Sequence, residues 1–172
     1  MTKCKVLVYL LFIVLASCAP KPNDSSTSQI SMPDIGIPVS ENGKFILLET
    51  PEGWNSFSQA EPIVLRVKNV SDEALKFQPD FGARMFILRD NGWVELEDTI
   101  NDTLMDSLVL EPNHNNDPFN SEALPLFPKL ENYKGDVTVR VIVVGQVVSS
   151  DEMQQRTAFI DVTLYSTGDA VY

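Results

Sequence analysis

From Lys44 onward apolar residues return at every second position and nowhere sustain a helical period, which restricts this part of the chain to sheet. In Glu61–Val70, Ile63, Leu65 and Val67 alternate with Val64, Arg66 and Lys68, and in Thr157–Tyr165, Ile160, Val162 and Leu164 alternate with Asp161 and Thr163. Successive side chains of a strand point to opposite faces, so each alternation buries one face and wets the other. Val137–Val148 is different. Val137, Val139, Val141 and Val143 share one face, and from Ile142 onward the second face is apolar too. Such a strand is central, covered on both sides or at one end.

Shorter strands are expected at Phe45–Thr50, Leu75–Phe77, Arg84–Arg89, Trp93–Glu97 and Leu108–Leu110, the last stopped by Pro112. Asp90-Asn91-Gly92 supplies the turn of a hairpin, since Asn and Gly tolerate positive φ. Asp98–Ser107 is the best candidate for one or two helical turns, with Ile100, Leu104 and Leu108 spaced by four. About eight strands joined by polar turns predict an all-β domain, an antiparallel sandwich of immunoglobulin or fibronectin III kind. A jelly roll or small barrel is the alternative. Two local patterns resemble this class. Ile63–Ser71 is similar to a strand-and-turn pattern of immunoglobulin-like domains in bacterial surface proteins, and Tyr133 stands where a tyrosine corner would return its hydroxyl to the backbone. The Cys pair of antibody domains is missing.

The N-terminus obeys other rules. Lys3 and Lys5 precede eleven consecutive apolar residues, Val6 to Ala16, an h-region of secretory length and too short for a stable membrane span. Leu15-Ala16-Ser17-Cys18 follows without a break. This resembles the lipobox of bacterial lipoproteins, and the resemblance covers only these first residues. It implies that the Cys18 thiol takes a diacylglyceryl group and that cleavage before it removes 1–17. Two or three acyl chains, at ~0.8 kcal/mol per buried methylene, hold a protein to a bilayer where one chain does so only marginally. The expected location is therefore outside the cytoplasm, anchored by lipid to the cell membrane or outer membrane. Ala19, where an Asp is absent, favours the outer membrane in an organism that has two.

Cleavage removes Lys3, Lys5 and no acid, so the formal charge moves from −11 to −13. It also removes Cys4 while acylation consumes Cys18, leaving the mature domain to be held by its apolar core and not by disulfides. Residues 18–43 carry the lipidated Cys and a stretch with four prolines and five serines, a composition that solvates extended backbone and reads as a tether. Ile30, Ile35 and Ile37 are its residues able to pair with the domain, and a free tether is the expectation. The β domain is expected over 44–166, with 167–172 as a tail.

Composition excludes several chemistries. The acidic balance opposes a nucleic-acid surface, which needs clustered Lys and Arg. One His and two Cys are too few for a Cys/His zinc cage. His114 lies in a loop of Asn and Asp with nothing to tune it as a base, and no nucleophile elbow, P-loop or H-E-x-x-H is present. Glu95, Glu97, Asp98, Asp102 and Asp106, with Glu111, Asn113, Asn115 and Asp117, offer the hard oxygens calcium takes, but the spaced series of an EF-hand is absent and a solvated acidic face explains them. Trp54 and Trp93 are read as caps on a core edge before a sugar or peptide platform. Segment 111–134, with Pro112, Pro118, Pro125 and Pro128, reads as irregular chain, packed by Phe119, Leu124, Leu126, Phe127 and Leu130 along a sheet edge or across one end.

These readings lead to no catalytic residue, no metal and no cofactor. The expectation is a lipid-anchored envelope module that binds a protein or other envelope macromolecule. A protease-inhibitor-like immunoglobulin fold and a hydrolase using paired carboxylates are the alternatives, the latter needing two carboxyl groups ~5–10 Å apart.

Overall fold

The computed structural model describes residues 31–37, 42–90, 92–100, 104–112, 121–130, 133–149 and 154–166. The signal segment, the Leu15–Cys18 motif, Asp102, His114, Asn113, Asn115, Asp117, Phe119 and the tail lie outside them. Among the described residues no helix is long and apolar enough to cross a membrane.

The domain is all-β, with strands β1 (Ile46–Glu49), β2 (Ser56–Ser58), β3 (Ile63–Asn69), β4 (Leu75–Phe77), β5 (Arg84–Arg89), β6 (Gly92–Leu96), β7 (Leu108–Leu110), β8 (Ser121–Leu126), β9 (Val137–Val147) and β10 (Gln155–Tyr165). They form two sheets and not a barrel. The smaller is antiparallel, in the order β1-β3-β8. In the larger, β10 lies between β2, which runs parallel to it, and β9. The other edge of β9 is shared end to end by β4 and β5, with β7 beyond β4 and β6 beyond β5. Ile46, Ile63, Leu65, Val67 and Leu124 of the smaller sheet meet Phe77, Val139, Val141, Val143, Val162 and Leu164 of the larger in one buried cluster.

β4–β7 are thus one long hairpin interrupted twice. The chain leaves β9 after Phe77 and returns at Arg84, because Pro79 donates no ladder hydrogen bond and Asp80 and Phe81 turn left-handed at φ 50° and 58°. A phenylalanine there is strained, and the compensation is full burial of its ring, edge-on to Phe77 at 5.0 Å. The opposite excursion is pinned to it: Asp80 accepts from the backbone N–H of Met105 (2.8 Å) and Leu104 (3.2 Å) and donates its own N–H to the Met105 carbonyl.

Three expectations change. The described parts of Asp98–Ser107 contain no helix. Thr99 N–H donates to the Phe127 carbonyl and Lys129 N–H to that of Glu97, so this stretch is spent on joining β6 to the chain beyond β8. The segment read as irregular contains β8, and Pro125 is tolerated because β8 is an edge strand whose one partner is β3. With β2, a strand too short to show alternation, this raises the count among the described residues to ten.

At Arg140 the second face of β9 meets the chain that precedes β1. Arg140, only 8% exposed, holds Asp161 through two hydrogen bonds of 2.6 and 2.7 Å, between the rings of Trp93 (4.4 Å) and Phe159 (4.5 Å). Against it, the Trp93 indole donates to the Ser31 carbonyl (2.7 Å), Arg140 Nη1 reaches the Met32 sulfur (2.9 Å), and Pro33 is buried. The stretch expected as free tether is therefore docked over 31–33; Ile30 lies outside the described residues, and Ile35 and Ile37 are half-buried. Farther along, Asn42 Oδ1 accepts the Phe159 N–H at the margin of β10.

Candidate functional site

A cleft opens where β2 forms the margin of the larger sheet, between two tight turns. The first is Thr50-Pro51-Glu52-Gly53, closed by a hydrogen bond from Gly53 N–H to the Thr50 carbonyl (3.1 Å). Pro presets the backbone at its second position, and Gly takes φ +74° at its fourth. The second turn follows β2, with Glu61 N–H donating to the Ser58 carbonyl (3.1 Å) and Ala60 N–H to the Ser58 hydroxyl. The chain on either side of β2 is fastened to β10, where Thr163 N–H donates to the Asn55 carbonyl (2.7 Å) and Gln59 N–H to that of Tyr165 (3.1 Å), and the Gln59 amide donates to the Gly135 carbonyl ahead of β9.

Between these turns Trp54, Phe57, Val64 and Tyr165 line a cleft of about 320 Å³, and Glu52 and Glu61 also belong to its lining. Trp54 is 72% exposed and Tyr165 42%. Neither glutamate has an ion pair among the described residues, and no Lys or Arg lines the cleft. Thr50, at the start of the first turn, is 6% exposed, and its buried hydroxyl has no hydrogen-bond partner among the described residues. The cleft thus gathers an exposed indole, a phenol and two carboxylates without ion pairs among the described residues.

Trp54 thus departs from the core-edge role expected of it, since the Pro51–Gly53 turn lifts it away from both sheets. Trp93 is engaged, as the upper plate of the Arg140 stack. Both tryptophans were legible as candidates, but nothing local in the sequence distinguishes the turn that exposes one from the strand that covers the other.

Three of the other candidate acids have internal duties. Glu95 takes a two-point hydrogen bond from Arg84 (2.6 and 2.8 Å). That bond, with the guanidinium's charge, lowers the carboxyl pKa against a smaller opposing effect of burial, and it raises that of Arg84. Glu97 pairs with Lys129 at 3.3 Å. Asp98 accepts the N–H of Ile100 and of Phe127. No group of three or more His, Cys, Asp or Glu among the described residues is placed to hold a metal. A second cavity of about 280 Å³ lies at the interrupted hairpin, walled by Asp80, Arg84, Glu95, Asp98 and Pro125, and its charged groups already have partners: Arg84 and Glu95 hold each other, and the two aspartates accept from backbone N–H groups. Tyr133 stands before β9, but its hydroxyl accepts from Arg89, whose guanidinium also lies 4.4 Å over the ring.

No protein-family model, no curated protein and no solved structure matches this chain.

Proposed function

We propose that the chain is an exported, lipid-anchored module of the cell envelope, non-enzymatic, that binds another envelope macromolecule from an immunoglobulin-like frame. Leu15-Ala16-Ser17-Cys18 after the eleven-residue apolar run supports the anchor. Two sheets around a single core support the sandwich. The observation that carries the binding reading is the cleft beside Trp54. Large apolar groups exposed on a framework of turns hydrogen-bonded to β10 are costly to leave wet and form a preorganised contact site.

Two measurements test this. Wild-type protein should incorporate labelled fatty acid and partition into detergent, and Cys18→Ser should do neither. Crosslinking in intact envelopes should yield one defined adduct with the wild type and lose it with Trp54→Ala. Labelling that persists in Cys18→Ser overturns the anchor, and an adduct unchanged by Trp54→Ala overturns the cleft as the contact surface.

The hydrolase alternative has one observation in its favour, since Glu52 and Glu61 line the same cleft. It requires turnover of an envelope glycan that Glu52→Gln and Glu61→Gln each abolish.

A further inference from the structure

We infer that the Trp54 cleft receives a cationic side chain, arginine or lysine, from a basic segment of a partner protein. This rests on the reading of the chain as a binding module. The molecule's own packing shows the chemistry. Arg84, Arg89, Arg140 and Arg156 each lie over an aromatic ring, at 4.3 to 5.1 Å from its centre. At Arg140 the ring and a carboxylate, Asp161, hold the guanidinium together. Trp54, Tyr165, Glu52 and Glu61 bring the same two kinds of group to one cleft, and no cation of the described chain occupies it.

A tryptophan face is the strongest aromatic partner for a cation. Glu52 and Glu61 supply the charge that a guanidinium or ammonium would neutralise. The formal charge of −11 attracts basic partners over a longer range. A sugar ring also stacks on an indole, but it leaves both carboxylates without a counter-charge.

The test is calorimetric titration of the full-length protein, in a neutral detergent, with the blocked peptide Gly-Arg-Gly-Arg-Gly and with its citrulline counterpart. Citrulline keeps the shape of the side chain and removes its charge. The arginine peptide should bind, more weakly as salt is raised. Trp54→Ala should weaken it about 10-fold at unchanged net charge, and the Glu52→Gln/Glu61→Gln double variant should weaken it and flatten its salt dependence. Glu122→Gln, an exposed acid on β8, should have no effect, and the citrulline peptide should not bind.

Equal binding of both peptides, indifference to Trp54→Ala, or an effect of Glu122→Gln as large as that of the double variant would overturn the inference. So would Trp54-dependent binding of a neutral oligosaccharide such as cellotetraose. If the peptide fails while the Trp54-dependent envelope adduct persists, the binding-module reading survives and the cationic ligand does not.

Discussion

The side-chain amide of Asn69, fully buried at the end of β3, donates to the backbone carbonyl of Leu110 in β7 at 2.9 Å and so ties one sheet to the margin of the other. The same amide donates to the Glu73 carbonyl (2.7 Å), and its oxygen accepts from both the N–H and the hydroxyl of Ser71. Every polar position of the side chain is used. Asn69→Ala takes a donor from the Leu110 carbonyl and the acceptor from the Ser71 N–H, while the Ser71 hydroxyl still reaches the Glu73 carbonyl at 2.9 Å, and should lower stability by about 1–3 kcal/mol in urea melts. Asn69→Asp should be at least as damaging, because it replaces the donor with an acceptor facing two carbonyls. A loss under ~1 kcal/mol for either would show that water replaces these bonds.

Gly145 marks a close approach in the core. A Cβ built there would lie 3.0 and 3.1 Å from the Phe77 ring and 3.3 Å from Ile46. Phe77 has little room to withdraw, being edge-on to Phe81 on its other side. Gly145→Ala should therefore cost about 1–3 kcal/mol, the range for overpacking. The loss should be smaller in a Phe77→Leu background, since the two changes meet at one contact.

In the segment 121–130 the buried residues are Leu124 and Leu126, while Phe127 is half-buried. Leu124→Ala should cost about 2–5 kcal/mol as a core truncation, and Phe127→Ala less. Amide exchange should show protection within β8 where its N–H groups pair with β3. Uniformly fast exchange there would mean that β8 does not stay paired in solution.

Glu95 gives a pH dependence of known sign. Its folded pKa is lowered, chiefly by the hydrogen bonds from Arg84. The associated stability is present above the unfolded value of about 4.3, and is lost as pH falls through the lower folded value. Both side chains are more than a third exposed, so screening keeps the effect below ~1 kcal/mol. Glu95→Gln should flatten the acid limb of the stability curve slightly and leave stability near pH 7 within that margin. A steeper acid limb in the variant would contradict the assignment.

Alternation in the sequence determined the strands and their inner faces. Val139, Val141 and Val143 are buried as their spacing requires, and Asp90-Asn91-Gly92 marks the hairpin in which Arg89 pairs with Gly92. The apolar second face of β9 was legible too, but not that Ser31–Pro33 would pack against the Arg140 stack on that face. β8 was hidden because Pro125 argues against a strand unless the strand is at an edge, and edge position is a property of the assembled sheet. The cleft had the same fate. Trp54, Glu52, Glu61 and Tyr165 are separate residues in the sequence, and they become neighbours only when β2 pairs parallel to the end of β10. Side-chain period is a local consequence of backbone geometry. Which strand lies beside which, and what covers a face, follow from contacts between residues far apart in the chain, and those only the tertiary structure decided.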